Sequence, residues 1–338
     1  PTIIWKQKDW DNWTARLKKL ESSRFHQSIW RALNDQEPTL SLYEKYVLIQ
    51  KVSDVKNKIT ERFTDKFNTV DISVKVMLGP LNGTSWYSYY SRVERNKEKA
   101  LNSERHQVGS TIKPIIYSVF EDLGRRMDEF VSTDAITLPL KSGPWTPREA
   151  HKIAEPEITL TEALMKSYNR PVIRISNELG FPVMEERLKA YFPSLKTPLG
   201  EYPSELLGSM ELSMSELRDV YSTFIKTECG KIKNSERLMD QSVLSILSDP
   251  NQTTVERAVD VVMQKLHFFG KAGTTNNGYD NWYVAFDGKN ITLIWVGYEG
   301  ERKTKSLGLY GATTAFDVFQ NYYRDRGRRF QQFNCDLI

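Results

Sequence analysis

Long hydrophobic runs are absent from this sequence. Its 338 residues contain no stretch of roughly 18 apolar residues, which is about the minimum for a membrane-spanning helix. The chain begins at Pro1 rather than at a methionine, and no signal peptide is visible. We therefore interpret the chain as a fragment in which no segment spans a membrane.

Cysteine and histidine are scarce. The two cysteines, Cys229 and Cys335, exclude a disulfide framework and a cysteine-rich zinc site, and they leave a single bridge as an open alternative. The histidines show no spacing typical of metal ligands; they are His26, His106, His151 and His267. We expect neither a metal ion nor another cofactor.

A strong excess of charge of one sign is also missing. Lysine and arginine number 47 against 43 acidic residues, so the formal net charge is only +4. Such a mild charge argues against a dedicated nucleic-acid-binding protein, and we expect no nucleic acid among the partners. A hydrophobic content of 39% and eight tryptophans suit a packed core and a groove that faces a peptide or a glycan.

The pattern of elements predicts two parts. Residues 1–68 are rich in charge and tryptophan, and we interpret them as a helical linker region, with helices from Trp10 to Ser22 and from Ser41 to Phe67. Residues 69–338 would form the larger domain. A length of 338 residues exceeds that of most single domains, which also favours one large domain with an appendage.

Strands are predicted at both ends of the larger domain. Residues 72–79 and 85–91 read as a hairpin, and residues 267–298 as three more strands. Residues 112–250 between them are predicted to be mainly helical, and residues 313–323 to form a closing amphipathic helix. This order predicts an α+β domain, with an antiparallel sheet flanked by helices and a large helical insertion.

Ser110 lies where a buried helix is predicted to begin. Pro114 is tolerated only in a first helical turn, and an apolar run continues from it toward Gly124. The free N–H groups and the dipole at a helix start favour negative charge developing there. Lys113 projects from the same face, and its amine could take the serine proton if burial lowered its pKa. The alternative is an ordinary helix start with a capping serine and a solvated lysine.

Two further short motifs follow in order. Ser167-Tyr168-Asn169 is an S-x-N, and Lys271-Ala272-Gly273-Thr274 lies in a predicted strand whose glycines allow close backbone approach. A lysine on such a strand brings positive charge to the nucleophile, and a backbone N–H of the strand can complete an oxyanion hole. The alternative is a plain hairpin with a surface lysine.

The sequence also contains these short patterns elsewhere. Ser53 and Lys56 form another S-x-x-K, but they lie within a long helix predicted over residues 41–66, which is no place for a nucleophile at a helix start. Lys141-Ser142-Gly143 reads K-S-G, but it lies in a proline-rich loop and precedes the S-x-N. Context therefore favours Ser110 and Lys271.

Together the motifs carry a resemblance. An S-x-x-K, an S-x-N and a K-x-G-T are shared by penicillin-binding proteins and serine β-lactamases. From about Val70 to the end, the chain resembles the transpeptidase domain of a class A, or bifunctional, penicillin-binding protein. The supporting segments are Arg105–Pro114, Trp145–Arg148, Thr159–Asn169, Leu207–Ser213 and Lys271–Phe286.

The resemblance implies a serine acyl-transfer site. Ser110 would be the nucleophile and Lys113 its general base. Ser167 would relay a proton toward the leaving amine, with Lys271 tuning its charge. Asn169 would hold Lys113 and the substrate amide.

The strand of the third motif would bind the substrate. The backbone N–H groups of Ser110 and Thr274 would form the oxyanion hole, and the Thr274 hydroxyl would bind the substrate carboxylate. The resemblance places Gly273 and Thr275 in the same substrate-binding segment.

The resemblance also implies a substrate and a location. The acyl donor would be a peptidoglycan stem peptide ending in D-Ala-D-Ala, which loses its terminal D-Ala, and an amine of a neighbouring stem peptide would take the acyl group. A β-lactam would leave a stable acyl-enzyme. Such proteins act at the periplasmic face of the inner membrane with cell-wall synthesis partners. We expect their N-terminal membrane anchor and glycosyltransferase domain to be absent from this chain.

Other functions stay open. A DD-carboxypeptidase or a β-lactamase-type hydrolase needs a base for water that the sequence does not assign, and a non-catalytic scaffold or sensor needs only the fold.

Ala272 departs from the family pattern, which has threonine or serine there, so a hydroxyl for the substrate carboxylate is missing. The loss of one such charge-assisted hydrogen bond costs roughly 1.5–3 kcal/mol. Val108, where the family commonly has proline, is a lesser departure.

This departure yields a prediction. Residues two apart on a strand share a face, so Ala272→Thr should place a second hydroxyl beside that of Thr274. We expect acylation by penicillins to become roughly tenfold faster, which corresponds to about 1.4 kcal/mol. Stopped-flow acylation rates test this, with a penicillin whose carboxylate is esterified as the control. An equal gain for both compounds, or none for either, would contradict the carboxylate role.

Overall fold

The computed structural model describes residues 40–92, 95–234, 236, 238–301, 306–325 and 335. The helix predicted from Trp10 to Ser22 lies outside the described residues. The α-helices of the described part are α1 Leu42–Phe63, α2 Lys97–Asn102, α3 Lys113–Asp122, α4 Leu160–Met165, α5 Arg170–Leu179, α6 Phe181–Lys189, α7 Met214–Lys233, α8 Val243–Ile246 and α9 Ala315–Asp325.

The strands in the same part of the chain are β1 Ile72–Pro80, β2 Tyr87–Tyr90, β3 His106–Gln107, β4 Phe130–Ser132, β5 Leu138–Leu140, β6 Gly143–Trp145, β7 Glu157–Thr159, β8 Glu211–Leu212, β9 Phe269–Thr274, β10 Asp280–Phe286 and β11 Asn290–Tyr298. The three pairs β3–β8, β4–β7 and β5–β6 are small two-stranded sheets, two of them inside the region predicted to be mainly helical.

The main sheet has five strands in the order β2-β1-β11-β10-β9, and every neighbouring pair is antiparallel. The predicted hairpin and the three predicted C-terminal strands are confirmed, and so is an α+β fold with an antiparallel sheet made from both ends of the domain. Strand β9, which carries the third motif, lies at one edge of this sheet. One side of β9 therefore faces away from the other strands.

Alternation along the strands sends side chains into two separate cores. On β11, Leu293 and Trp295 point into a core shared with the helices between β3 and β9, whereas Ile294 and Val296 point into a second core. Strand side chains alternate between faces with a period of two, so Lys271 lies on the same face as Phe269 and toward the first core. The alternation thus aims the lysine of the third motif at the helical side of the sheet.

Helix α1 covers the second face together with α9. It begins at a capping box in which Ser41 and Glu44 exchange side-chain and backbone hydrogen bonds. Its buried side chains, Val52 and Val55 among them, belong to the same core as the sheet residue Val74. The helix therefore packs with the sheet, although the predicted linker includes it, and the boundary at residue 68 stays a prediction.

Two other features concern the chain as a whole. Cys229 in α7 and Cys335 form a disulfide, with their Cα atoms 5.2 Å apart, so the bridge that the sequence left open is present. None of the helices in the described ranges is long and apolar enough to cross a membrane.

Candidate active site

Ser110 lies in a single 3₁₀ turn, Gly109–Ile112, that leads directly into α3. The backbone N–H of Lys113 donates to the Ser110 carbonyl, and Pro114 occupies the first helical turn, where its missing N–H costs nothing. The predicted helix start at the serine is therefore confirmed. Ser110 is half-buried, while most of the helix that follows is buried.

The Lys113 side chain is fully buried and ends in a ring of acceptors. Its amine donates to the carbonyl oxygens of Ser167 and, at 3.1 Å, of Tyr168. It also donates to Oδ1 of Asn169 at 2.6 Å and lies 3.4 Å from the Ser167 hydroxyl. Lys113 thus joins the first two motifs. The alternative of a solvated lysine is wrong, because this side chain is fully buried.

Lys271 contacts the same hydroxyl. Its side chain is only 2% exposed. Its amine donates to Oγ of Ser167 at 3.0 Å and to the carbonyl oxygen of Ala272 at 2.6 Å. The Ser167 hydroxyl therefore lies between two buried lysine amines, one from each of the other motifs.

Burial changes the acid–base chemistry of both amines. Desolvation disfavours the charged form of a lysine, and it lowers the pKa of Lys113 to about 7, against an opposing effect of the Glu149 carboxylate. Desolvation also lowers the pKa of Lys271 well below its usual value, and the positive charge of Lys113 lowers it further. A lysine amine that is partly neutral near pH 7 can accept a proton from a hydroxyl.

The backbone at Ser167 adopts a conformation that is costly for a residue with a side chain. Its φ is 61°, in the left-handed region. This conformation costs of the order of 1 kcal/mol or more for a residue other than glycine. It turns the Ser167 carbonyl toward Lys113 while the hydroxyl stays between the two amines.

The nucleophile turn packs directly against the end of β9. A Cβ atom added to Gly109, whose φ is +54°, would lie 2.9 Å from the carbonyl oxygen of Thr274. A Cβ atom on Gly273 would lie 2.7 Å from the side chain of Thr111. Only glycines allow this approach, which brings the backbone of Ser110 beside that of Thr274, as the predicted oxyanion hole requires.

The remaining residues of the third motif differ in their surroundings. The Thr274 hydroxyl accepts a hydrogen bond from the N–H of Gly311 at 2.8 Å, which leaves its own proton to donate. Thr275 is buried and bonded to Asp280, so its hydroxyl is engaged inside the protein. Ala272 is 8% exposed and belongs to the second core. A threonine there must fit its larger side chain into that core, so the stability of the Ala272→Thr variant must be measured together with its acylation rate.

The structure therefore unites most of the predicted site. Hydrogen bonds join Lys113, Ser167, Asn169 and Lys271, and backbone packing adds Ser110, Gly273 and Thr274. Within the described residues, no hydrogen bond joins the Ser110 hydroxyl to Lys113. The competing S-x-x-K lies in the middle of α1, and Lys141 extends to the surface, where it pairs with Glu201.

Sequence reasoning missed a buried polar chain beside the nucleophile turn. Nε2 of His106 lies 2.8 Å from the Lys75 amine, which can only donate, so Nε2 is the acceptor and His106 is neutral. Its Nδ1 lies 3.2 Å from a carboxylate oxygen of Asp280. Burial lowers the pKa of His106, which keeps the ring neutral. This chain connects β3 with Asp280, and Asp280 in turn holds Thr275 after β9.

Glu149 was also missed. Its carboxylate accepts hydrogen bonds from the backbone N–H groups of Asn169 and Arg170, at the start of α5. The preceding carbonyl, that of Arg148, accepts from the Asn169 side chain at 2.6 Å. The only sequence signal was that Trp145–Arg148 lies in a segment of the family resemblance, and no local pattern indicates that these residues contact the S-x-N motif.

The chain is similar in sequence to penicillin-binding proteins. No family model matches the chain. Penicillin-binding protein 1B of Haemophilus influenzae is 30% identical over 252 residues, which is 66% of this chain and 31% of that protein. Penicillin-binding protein 1B of Escherichia coli is 26% identical over 302 residues, which is 81% of this chain and 33% of that protein. The chain thus spans about a third of the length of these relatives.

Solved structures were compared as well. Penicillin-binding protein 1A from Haemophilus influenzae superposes with a TM-score of 0.63 at 17% identity, covering 78% of this chain and 49% of that one. The penicillin-binding protein PonA1 from Mycobacterium tuberculosis superposes with a TM-score of 0.61 at 15% identity, covering 84% and 86%. The chain shares its fold with penicillin-binding proteins. PonA1 has also been solved in complex with penicillin V.

The first prediction from this site concerns Lys113 as a base. A base must be neutral, so acylation by a penicillin should fall about tenfold per pH unit below a midpoint near 7 and level off above it. Lys113→Arg keeps the charge but cannot deprotonate, and should slow acylation roughly 10²–10⁴-fold on the plateau above pH 7. Stopped-flow rates from pH 5 to 9 test both. A flat profile, or near wild-type rates for the arginine variant, would assign the base elsewhere.

The second prediction concerns Gly208, which packs on the nucleophile turn. Its φ is +85°, and an added Cβ would lie 1.9 Å from the carbonyl oxygen of Gly109. Gly124 has nearly the same φ, +86°, but open space around it. Gly124→Ala should therefore cost only the backbone strain of about 1–2 kcal/mol, and Gly208→Ala at least about 4 kcal/mol with loss of acylation.

Denaturant unfolding of the two alanine variants measures the difference. Because the two glycines have nearly the same φ, the strain from a positive φ is similar in both variants. The additional loss of unfolding free energy in Gly208→Ala therefore reports the contact with Gly109. Equal unfolding free energies, with acylation intact in both variants, would refute the role of this contact.

Proposed function

We propose that this domain is a serine DD-transpeptidase that cross-links peptidoglycan stem peptides and is acylated by β-lactams. The observation that carries the proposal is the convergence of two buried amines, Lys113 and Lys271, on the hydroxyl of Ser167, beside the turn that holds Ser110. The similarity to penicillin-binding proteins over most of the chain supports the same chemistry.

In the acylation step, neutral Lys113 takes the proton of Ser110 as its Oγ attacks the carbonyl of the penultimate D-Ala. The N–H groups of Ser110 and Thr274 stabilise the oxyanion of the tetrahedral intermediate. Ser167, bonded to Lys271, delivers a proton to the leaving amine, and the terminal D-Ala departs. Two depressed lysine pKa values make this relay workable near neutral pH.

In the second step, the acyl group passes to an amine. The amine of a neighbouring stem peptide attacks the ester on Ser110, loses a proton through Ser167 and Lys113, and releases the serine. The chemistry reverses the first proton transfers, so the same residues serve both steps. A β-lactam stops after acylation, because its ring-opened product keeps the leaving amine attached.

The edge strand β9 supplies the binding surface. Its outer side has no strand partner in the described structure, and the N–H of Gly270 on that side donates to the carbonyl of Leu247. The backbone beyond Gly270, from Ala272 to Thr274, is where an extended stem peptide can pair. At the end of this strand, the Thr274 hydroxyl keeps a proton to donate to the terminal carboxylate of the peptide. Gly273 and Thr275 lie on either side of Thr274 in the same segment.

A hydrolase needs a base that is free to activate water on the acyl-enzyme, and a carboxylate is one group that can serve. Glu149 is a carboxylate close to Lys113, but both of its oxygens accept hydrogen bonds from backbone N–H groups. This arrangement favours transfer to an amine over hydrolysis. The proposed setting is the periplasmic face of the inner membrane, in a longer protein with an anchor and a glycosyltransferase domain that works with other wall-building proteins.

The covalent adduct tests the proposal. After incubation with benzylpenicillin, the intact mass should rise by one penicillin and peptide mapping should place the adduct on Ser110. Ser110→Ala should abolish labelling, whereas Ser53→Ala, in the competing motif of α1, should leave it unchanged. Turnover without a persistent adduct would favour a hydrolase, and the absence of any adduct would favour a non-catalytic scaffold.

A further inference from the structure

The side chain of Glu149 crosses from the loop after β6 to the S-x-N motif. Both carboxylate oxygens lie 2.9 Å from the backbone nitrogen of Asn169, and one of them also accepts from the N–H of Arg170. These N–H groups open helix α5 and have no partner within the helix. Asn169 makes no side-chain cap there, so a residue 20 positions earlier caps the helix.

Asn169 is held by three contacts, of which the Glu149 hydrogen bond to its backbone N–H is one. Its Nδ2 donates to the carbonyl of Arg148 at 2.6 Å, and its Oδ1 accepts from Lys113 at 2.6 Å. Arg148 and Glu149 therefore hold the backbone and the side chain of Asn169 from one side, while Lys113 holds it from the other. The strained Ser167, two residues earlier, is part of the same turn.

The charge of Glu149 also acts on Lys113. Glu149 acts on the Lys113 amine and also on Tyr117, one turn further along α3, and Lys113 in turn acts on Lys271 of β9. Burial raises the pKa of Tyr117, which stays neutral, and Lys271 contributes repulsion when it is charged. Glu149 raises the pKa of Lys113 against the larger effect of desolvation, and it is thus the stabilising negative charge.

We propose that Glu149 is a positioning residue of this site: it holds, through Asn169, the turn whose acceptors receive Lys113, and it brings a negative charge to the surroundings of that amine. This inference rests on the proposed function, since it concerns the base of the same reaction. Glu149 acts through Asn169 and Lys113 and does not itself exchange protons with the substrate. Two variants separate the capping hydrogen bonds of Glu149 from its negative charge. Glutamine keeps an acceptor oxygen but loses the charge, whereas alanine loses both.

The test compares Glu149→Gln and Glu149→Ala with the matched control Glu157→Gln, which removes one charge from an exposed position on β7. Acylation by a fluorescent penicillin is measured from pH 5 to 9. In both Glu149 variants the midpoint should move to lower pH. A shift of half a pH unit from a midpoint near 7 raises the ratio of the rate at pH 6 to that at pH 9 about two- to threefold. The rate at pH 9 should stay near wild type for glutamine and fall roughly tenfold for alanine.

A second readout does not depend on acylation. Lysines labelled with ¹³C at Cε are titrated by NMR, and the Lys113 resonance is assigned by its loss in Lys113→Arg. The Lys113 midpoint should move to lower pH in both Glu149 variants and stay in place in Glu157→Gln. Thermal unfolding confirms that each variant is folded.

The outcomes distinguish this inference from the function it rests on. If wild type forms no adduct, the proposed function fails, yet the NMR titration still decides whether Glu149 sets the protonation of Lys113. If wild type is acylated but the Lys113 midpoint is unchanged in the folded glutamine variant, the electrostatic role of Glu149 is overturned. An unchanged rate at pH 9 in the folded alanine variant would overturn its role in holding the turn.

Discussion

Two lysine amines buried against one serine hydroxyl impose the constraint on which this site depends. A buried ammonium loses its hydration, and two of them close together also repel each other. The protein compensates by giving Lys113 the carbonyls of Ser167 and Tyr168 and the amide oxygen of Asn169, and by giving Lys271 the carbonyl of Ala272. These hydrogen bonds do not fully offset the loss of hydration, so the pKa values of both lysines are lowered. A lysine with a lowered pKa can act as a base near neutral pH.

Backbone packing holds these amines at the nucleophile. Gly208, Gly109 and Gly273 lie where added Cβ atoms would overlap neighbouring backbone or side chains, so three chain segments approach more closely than other residues allow. The N–H of Gly109 donates to the carbonyl of Gly208, which fixes the turn before Ser110 to a segment almost a hundred residues later. The strain at Ser167 persists because the segments around it are held on all sides.

The sequence predicted those features that are encoded locally. Pro114 marked the start of the helix after Ser110, and alternating side chains marked the strands of the main sheet, because both signals depend on near neighbours. The family resemblance, rather than any spacing, indicated that the three motifs converge. Their mutual hydrogen bonds agree with that expectation.

Features that depend on contacts between distant segments could not be predicted in this way. Glu149 caps a helix that begins at Arg170, and His106 bridges Lys75 and Asp280, with no periodic pattern to link these positions. The packing of α1 on the sheet was missed for a related reason. An amphipathic helix shows that it has an apolar face, but the surface that covers this face is decided by the tertiary fold. The disulfide between Cys229 and Cys335 is likewise a property of the folded chain.

The lowered pKa values of Lys113 and Lys271 imply that at least one of the two amines is neutral at mildly alkaline pH. Neutron diffraction from a deuterium-exchanged crystal at about pH 8 observes this directly, because it locates the deuterons on each amine. We expect at least one of the two nitrogens to carry two deuterons rather than three, with Ser167 bonded between them. Three deuterons on both nitrogens would contradict it, because no neutral amine would then be available to deprotonate Ser110.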